Sequence, residues 1–329
     1  MKKVKEKILD LLKISREVYQ SELVRATGFS KSRVSEVLSE LEKKNLIVRT
    51  NVGRNSKIVL KTNIARRGKI IRLGFVRAAE YPFLVPLRNI LRERSYQLEF
   101  VVRENGIDVM MDLLFARVDA AIAPALTQFV FYSIGTPLKI IGPAGSGGSS
   151  LLTKKDLPSD ARIISTKLST MELFLRSCLN LCLLHSRETV YARSPEEIVN
   201  SMLKRRVDAA FVWEPYATYL ESLGYSRIAR YTDIGDHICC ILSARSDLPR
   251  RKLDMLKGRL VESIELFVRE PERYAEPYSL IAGYPPKYII NSLKEYSHPT
   301  DLDPSSIVRQ FERAGLSIPE PRTFKEAFD

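Results

Sequence analysis

Four side chains near the N-terminus combine the charge and the hydrogen-bonding groups that bind a polyanion. Lys31, Ser32, Arg33 and Ser35 lie on one face of a helix predicted to follow Ser30. An arginine on such a face can donate two hydrogen bonds to a guanine edge, serine hydroxyls can reach bases or phosphates, and a lysine can neutralise backbone charge. The pattern predicts contact with double-stranded DNA.

The spacing of apolar residues predicts three short helices that would hold these side chains. They span 4–14, 22–27 and 31–44, with Ser21 and Ser30 as the N-caps of the second and third. Gly-Phe at the second boundary is typical of a turn. The third helix would bury one face and present the other to a partner.

A basic β-hairpin is predicted directly after the helices. Strand-like runs at 46–50 and 57–62 flank a polar tip at 51–56. Arg54 at this tip would reach the minor groove or the phosphates, and Lys57 would neutralise phosphate charge.

The net charge is concentrated in the same region. Residues 1–72 contain 19 lysines and arginines against 7 acidic residues, a net charge of +12, whereas the whole chain of 329 residues carries +13. Residues 73–329 are therefore almost balanced. A basic N-terminal part attached to a neutral body indicates two functions, of which only the first needs a polyanion.

The N-terminal stretch resembles the winged helix-turn-helix domains of small prokaryotic repressors such as the MarR and ArsR families. The resemblance rests on the segment SELVRATGFSKSRVSEVLSELEKKNLI together with the hairpin. It implies that the third helix enters the major groove and that the hairpin is the wing. Readers of this type usually bind as dimers, so we expect a homodimer.

The body contains an internal repeat. The segment LFARVDAAIAP at 114–124 recurs as LKRRVDAAFVWEP at 203–215. Each copy is typical of a helix, a tight turn and a short buried strand, which predicts two lobes built alike. Ligands of open α/β sheets bind beyond the carboxyl ends of the strands, so Pro124 from one lobe should face Trp213 and Glu214 from the other.

The body as a whole resembles the type 2 periplasmic-binding-protein fold, in the branch that binds nitrate, sulfonates and thiamine-pyrimidine precursors. The matching segments occur in the family's order and include GFVRAAEYPFLVPLRNI, KIIGPAGSGGSSLLTKKDL, STMELFLRSCL and MLKRRVDAAFVWEPYAT. The resemblance implies an α/β fold with two lobes that close around a small molecule. The chain would cross between the lobes near 151–155 and near 235–240.

Seven more cleft positions follow from this resemblance: Glu80, Tyr81, Ser146, Gly147, Ser149, Ser169 and Thr170. The Gly/Ser segment would bind polar atoms through its amides, or would serve only as a hinge. The helix beginning at Thr170 would offer its N-terminal amides, or Ser169 would act only as a cap. Carboxylates beside an aromatic wall suit a heteroaromatic ring such as a thiamine precursor; a small anion such as a sulfonate is the alternative.

Cysteine and histidine usage gives no zinc pattern. The four cysteines are expected to be buried thiols in a reducing compartment: Cys178, Cys182, Cys239 and Cys240. One relative of the fold is an enzyme that makes the thiamine pyrimidine with a cysteine-rich motif, and Cys239–Cys240 after His237 resembles that motif faintly. The motif is incomplete here, so we expect neither an enzyme nor a metal or cofactor.

The domain organisation follows from these resemblances. The predicted parts are a winged helix at 1–64, a basic linker at 65–70 and a two-lobed domain at 71–329, with lobe 1 at 71–151 and 241–329 and lobe 2 at 152–240. Joined together, they predict a transcriptional regulator whose DNA binding responds to a metabolite. A LysR-type regulator is the alternative, although its head ends in a long helix rather than a wing.

The N-terminus predicts a cytoplasmic location. It has no apolar run of the kind found in signal peptides, and no window of the chain approaches 18 uninterrupted apolar residues. We therefore expect no membrane partner.

Overall fold

The N-terminal unit combines helices with a small antiparallel sheet. The computed structural model describes residues 2–14, 17–44, 46–52, 55–60, 69–235 and 237–317, together with Ala327. Up to residue 60 the elements are α1 (Lys2–Ile14), β1 (Glu17–Tyr19), α2 (Gln20–Thr27), α3 (Lys31–Lys43), β2 (Ile47–Val52) and β3 (Asn55–Leu60). The strand order is β1-β3-β2, and both pairings are antiparallel.

Apolar stripes and capping residues in the sequence account for the helices of the N-terminal unit. The apolar stripes of α1 and α3 bury their side chains in one core with α2 and the sheet. Ser30 caps α3 as expected, since its Oγ accepts from the backbone N of Arg33 at 3.3 Å. Ser21 is not a cap: α2 begins at Gln20, because the Glu22 carboxylate accepts from the Tyr19 amide at 2.7 Å.

Two predictions concern the hairpin tip and the boundary between the N-terminal unit and the body. The residue predicted for the tip of the hairpin, Arg54, and most of the predicted linker at 65–70 lie outside the described residues. Lys69 and Ile70 belong to the first strand of the body instead of the linker.

The first pass of the body through lobe 1 alternates strands and helices. Its elements are β4 (Lys69–Val76), α4 (Leu84–Glu93), β5 (Tyr96–Arg103), α5 (Gly106–Leu114), β6 (Ala120–Pro124), α6 (Ala125–Ser133) and β7 (Leu138–Gly147). Strands β5, β4 and β6 are parallel neighbours. Every residue of β6 is buried, as in a central parallel strand, whereas the edge strand β5 is mostly half-buried.

Lobe 2 follows directly. It contains β8 (Ser149–Thr153), β9 (Arg162–Thr166), α7 (Thr170–Asn180), β10 (Glu188–Ala192), α8 (Pro195–Leu203), β11 (Ala209–Trp213), α9 (Tyr216–Ser222) and β12 (Ser226–Arg230). The strand order is β10-β9-β11-β8-β12. The first crossing between lobes lies at Gly148, before the segment 151–155 that was expected, so the lobe 1 boundary moves from 151 to 147.

The chain then returns to lobe 1. The second crossing lies between Arg230, the last residue of β12, and Cys240. The returning elements are β13 (Cys240–Arg245), α10 (Arg250–Arg269), α11 (Pro271–Ala282), α12 (Pro286–Ser292), β14 (Tyr296–Ser297) and α13 (Pro304–Arg313). They complete a six-stranded sheet in the order β14-β7-β13-β6-β4-β5. None of the helices in the described part of the chain is both long and apolar enough to cross a membrane.

The two copies of the repeat occupy equivalent places, one in each sheet. Asp119 precedes β6, and its carboxylate accepts from the Arg72 amide of β4 at 2.8 Å. Asp208 precedes β11, and its carboxylate accepts from the Arg162 amide of β9 at 2.7 Å. Each aspartate therefore accepts from a backbone amide of a neighbouring parallel strand, which explains why the same residue type recurs in both lobes.

Candidate ligand-binding site

A small cavity lies between the two lobes. Its volume is about 40 Å³, enough for about three water molecules. It is lined by Val76, Ala78, Glu80, Tyr81, Asn105, Gly106, Pro124, Thr166, Lys167, Ser169, Thr170, Met171, Trp213, Cys239 and Cys240. Most of the lining is apolar, so the few polar groups decide what the cavity can bind.

Six of the ten residues predicted for the cleft meet at this cavity: Glu80, Tyr81, Pro124, Ser169, Thr170 and Trp213. The folds of the two lobes explain how. Glu80 and Tyr81 follow β4, Pro124 ends β6, and Trp213 ends β11, so all lie beyond the carboxyl ends of strands. Ser169 caps α7 by accepting from the Glu172 amide at 3.2 Å, which directs this helix start to the cavity. Their part in binding stays a prediction.

The other four predicted residues, Ser146, Gly147, Ser149 and Glu214, do not line it. The Gly/Ser segment forms the crossing itself, where Ser146 Oγ donates to the carbonyl of His237 and the Gly147 amide donates to His237 Nε2 at 3.3 Å. Ser149 is buried at the start of β8. Glu214 is fully buried and paired with Arg227 Nη2 at 2.6 Å.

Several residues that the sequence analysis did not assign to the cleft also line the cavity. Lys167 places a cation on the cavity wall, and Asn105 caps α5 beside it. Cys239 and Cys240 lie on the cavity at the second crossing, where the adjacent cysteines in the sequence were a usable signal. The expectation of four buried thiols is wrong for Cys182, which is exposed.

Hydrogen bonds across the cleft hold the lobes together. Trp213 Nε1 donates to the Arg77 carbonyl at 3.0 Å, and the Ala79 amide donates to the Glu214 carbonyl at 3.1 Å. Thr127 Oγ1 on α6 donates to the Leu168 carbonyl beside α7. The cavity is small because these contacts close the lobes over it.

Burial controls the ionisation of the acidic groups at the cavity. Desolvation raises the pKa of Glu80 to about 7, and hydrogen bonding with Tyr81, Cys240 and Cys239 only partly offsets it. Glu80 Oε1 has no hydrogen-bond partner. Burial likewise raises the pKa of the Cys240 thiol well above its usual range. The cavity thus offers a carboxyl group and two thiols in an apolar environment.

A buried ion network lies beside the cleft. Arg227 on β12 contacts Glu214 at 2.6 Å, Glu221 at 2.8 Å and Glu295 at 2.8 Å. Glu295 also accepts from Arg230 at 2.9 Å. This network joins β12 of lobe 2 to the segment before β14 of lobe 1. It uses the Glu214 carboxylate internally, so that carboxylate is not available to a ligand.

Helix α11 connects the N-terminal unit to the cavity. Lys7 Nζ of α1 lies 2.6 Å from Glu276 Oε1, and Leu280 packs against the N-terminal core. On the other side of the same helix, Tyr278 Oη donates to the Ala78 carbonyl at 2.7 Å. Ala78 lines the cavity, so one helix contacts both parts of the molecule.

The predicted DNA-contacting side chains lie on the outer face of the N-terminal unit. Lys31 and Ser32 are exposed, while Ser35 and Lys57 are half-buried. Arg33 Nη1 forms an exposed ion pair with Glu36 at 3.1 Å. Such an exposed pair is weak, at most about 1 kcal/mol, and leaves the guanidinium free to exchange partners.

Two comparisons each match a short part of the chain. A model of a domain family of unknown function, DUF7343, matches residues 3–61. An uncharacterised protein of Methanocaldococcus jannaschii is 42% identical over 51 residues, 16% of this chain. The chain spans only 11% of the length of that relative.

Solved structures resemble the body. The ligand-binding component of an ABC-type import system from Staphylococcus aureus, with zinc bound, is 19% identical with a TM-score of 0.66, covering 79% of this chain and 99% of that one. The alkanesulfonate-binding protein SsuA from Xanthomonas axonopodis pv. citri, bound to MOPS, is 18% identical with a TM-score of 0.65, covering 80% and 99%. The periplasmic aliphatic sulphonate-binding protein SsuA from Escherichia coli is 16% identical with a TM-score of 0.65, covering 79% and 97%. The body therefore has the mixed α/β, two-lobed fold of these substrate-binding proteins.

Proposed function

We propose that this chain is a transcriptional regulator whose affinity for DNA is set by a small molecule bound between the two lobes. The observation that carries the proposal is the position of α11, which contacts the N-terminal unit through Glu276 and Leu280 and the cavity loop through Tyr278. A change at the cavity therefore has a short mechanical route to the N-terminal unit.

The N-terminal unit supports DNA binding as a winged helix. The pairing of β2 with β3 directly after α3 supports this proposal, because a wing is expected at that position. The inner face of α3 is buried through Val34, Val37 and Leu38, and its outer face carries Lys31 and Arg33. In this arrangement α3 enters the major groove, Arg33 exchanges Glu36 for a guanine edge, and β2–β3 contacts the backbone.

Lobe closure supplies the two states that regulation needs. A ligand shifts an equilibrium only if it prefers one state, and allosteric coupling is typically about 1–3 kcal/mol. The closed form is held by bonds such as Trp213 Nε1 to Arg77 O. A molecule too large for the cavity of about 40 Å³ would favour a more open form.

The effector proposed here is a small molecule that contacts Glu80, Thr170 and Trp213. A heteroaromatic ring with amino donors suits the buried carboxyl of Glu80 and the indole of Trp213. A small anion such as a sulfonate would use Lys167 and the start of α7 instead. We further propose a homodimer, which two copies of α3 reading adjacent half-sites would require.

DNA binding can be tested without knowing the operator. Selection from a random duplex library at low salt should enrich a sequence, and Arg33→Ala should weaken binding to it by about 1–3 kcal/mol, the usual value of a bidentate base contact. The control is Arg187→Ala, since Arg187 is an exposed arginine of the body.

The salt series completes this test. Binding should weaken steeply with salt, because each neutralised phosphate releases counterions and contributes about −0.9 to the slope of log K against log salt. Absence of enrichment, or a flat salt series, would refute DNA binding. Light scattering of the free protein and of the complex decides between monomer and dimer.

A further inference from the structure

Three potential metal ligands meet in the cavity. The carboxylate of Glu80 and the thiols of Cys239 and Cys240 lie within 4.8 Å of one another, and all three residues are buried. The two Sγ atoms are 3.5 Å apart. None of these three residues belongs to the buried ion network around Arg227.

The two adjacent cysteines lie where β13 begins. Side chains of successive residues in a regular strand point to opposite faces. Cys240 is the first residue of β13, whereas Cys239 precedes the strand, and its backbone amide donates to Gly145 O at 3.0 Å. The alternation of a regular strand therefore does not apply to this pair, and both residues line the cavity.

The sulfur–sulfur distance distinguishes between kinds of metal. A tetrahedral ion with metal–sulfur bonds of about 2.3 Å holds two sulfurs about 3.8 Å apart, whereas linear coordination would hold them about 4.6 Å apart. The observed 3.5 Å lies close to the tetrahedral value. Glu80 would move by on the order of 1 Å to complete the set.

The Glu80 carboxyl group has no cation beside it among the described residues. It is 1% exposed, its Oε1 accepts no hydrogen bond, and none of the ion pairs among the described residues includes it. A buried carboxylate is costly without a cation. Gly145 makes the room for it, because a Cβ at that position would collide with the carboxylate.

Hydroxyl groups surround the two thiols as supporting partners. Tyr81 Oη donates to Cys240 Sγ at 3.0 Å, and Thr170 Oγ1 lies 3.4 Å from Cys239 Sγ. Donors of this kind stabilise thiolates and orient ligands around a metal.

A disulfide is the competing explanation, and the geometry opposes it. Cα atoms of adjacent residues are about 3.8 Å apart across a trans peptide, which is below the range of about 4.4–6.8 Å usual for disulfides. The cysteine pair is therefore better placed to share an ion than to form a bond.

We infer that the cavity binds one thiophilic divalent cation of the zinc type through Glu80, Cys239 and Cys240. Each thiol that binds loses its proton to solvent, so binding releases protons while no group is oxidised or reduced. The fourth tetrahedral position faces the cavity and is filled by water or by a donor atom of an effector. The inference rests on the proposed function only in placing the ion where the effector binds.

Cobalt(II) is the probe that reports thiolate coordination directly. Titrating metal-free, reduced full-length protein with Co²⁺ should give a thiolate-to-cobalt charge-transfer band in the near ultraviolet, which saturates at one ion per chain and is abolished by Zn²⁺. The Cys239→Ser/Cys240→Ser double variant should show no such band. Cys182→Ser removes an exposed thiol and should leave the band unchanged.

Two further measurements keep the test independent of folding defects. Zn²⁺ should protect Cys239 and Cys240 of the unaltered protein from alkylation while Cys182 stays reactive, as read by mass spectrometry. Tyr81→Phe should weaken Co²⁺ binding by about 10- to 100-fold, the usual effect of losing a supporting partner. Absence of the band together with absence of protection overturns the metal site.

The outcomes separate this inference from the proposed function. The cobalt and alkylation readouts need no DNA. A protein that coordinates Co²⁺ through thiolates but enriches no duplex refutes DNA-binding regulation alone, whereas one that binds its duplex but shows no thiolate coordination refutes the metal site alone.

Discussion

At the scale of single residues, two glutamates near the cleft have opposite environments. Glu214 is fully buried but contacts Arg227 at 2.6 Å, while Glu80 is equally buried and contacts no cation among the described residues. The sequence suggested the same role for both. The two glutamates differ in whether a cation pairs with them. Glu214 is paired with Arg227 and stabilises the lobe boundary, whereas Glu80 lines the cavity and is unpaired within the described part of the chain.

The Arg227 network should contribute strongly to stability. Arg227→Ala removes the partner of a fully buried carboxylate, and breaking a buried pair in this way typically costs about 3–5 kcal/mol. The matched control is Arg187→Ala, whose exposed pair with Asp160 at 3.6 Å should contribute less than about 1 kcal/mol. Chemical denaturation of both variants measures the difference; equal losses would contradict a structural role for the network.

The network should also make stability depend on pH. The hydrogen bond from Arg230, with the charge of Arg227, holds the pKa of Glu295 below its usual range despite partial burial. A lowered folded-state pKa means that the stabilisation is present above the unfolded pKa and is lost as pH falls through the folded value. Denaturation at successively lower pH should therefore show a smaller decline for Glu295→Gln than for the unaltered protein, and parallel curves would exclude this carboxylate as a cause.

At the scale of elements, α11 has a position that its amphipathic pattern alone does not explain. Its two sides contact different parts of the molecule, with Lys7 and the N-terminal core on one and the Ala78 carbonyl on the other. A helix with a single buried face normally packs on one core. This helix therefore contacts both the N-terminal unit and the loop that lines the cavity, and it is the element through which the proposed regulation would act.

Reversing one charge on α11 should loosen the contact with the N-terminal unit. Lys7 Nζ now lies 2.6 Å from Glu276 Oε1, and Glu276→Lys replaces this attraction with the repulsion of two positive charges. We expect faster proteolysis between residues 61 and 68 and a larger radius of gyration in small-angle scattering. Glu272→Lys makes the same charge change at an exposed position of the same helix and should alter neither; if both variants behave alike, the Lys7–Glu276 pair does not hold the two parts together.

At the scale of the whole molecule, the two lobes are closed over the cavity. They meet through contacts from several elements, and the second crossing places Cys239 and Cys240 at the cavity. The chain first crosses between the lobes at Gly148, between β7 and β8. The proposed regulation requires the lobes to open and close, a motion that occurs in two-lobed ligand-binding proteins by hinge movement around a few residues.

The indole of Trp213 should report this motion. Trp213 is the only tryptophan in the chain, is 8% exposed, and donates to the Arg77 carbonyl across the cleft. Opening breaks that bond and admits water, so emission should shift to longer wavelength at mild denaturant concentrations, before global unfolding. A single coincident transition by fluorescence and circular dichroism would show that the lobes do not open independently.

Comparison of particular elements shows how far the sequence predicts this fold and site. The helices of the N-terminal unit and the Ser30 and Ser169 caps were readable from local patterns, because capping and apolar periodicity act over a few residues. The two-lobed body was predicted from the internal repeat and from the family resemblance instead. The aspartates of the repeat were readable as a pair because they perform the same task in each sheet. Ser146 and Gly147 were assigned to the cleft by resemblance, yet they form the crossing strand.

The sequence by itself determined the basic N-terminal unit, its charge of +12 and the duplication that produces two lobes. Only the tertiary structure decided which polar groups face the cavity, because Glu80 and the Cys239–Cys240 pair are about 160 residues apart in the chain. They meet because β4, which precedes Glu80, and β13, which begins at Cys240, belong to the same sheet with only β6 between them. Long-range pairing also removed Glu214 from the site, since Arg227 reaches it from β12. Local patterns specify elements, whereas the contacts between elements specify the chemistry of the cleft.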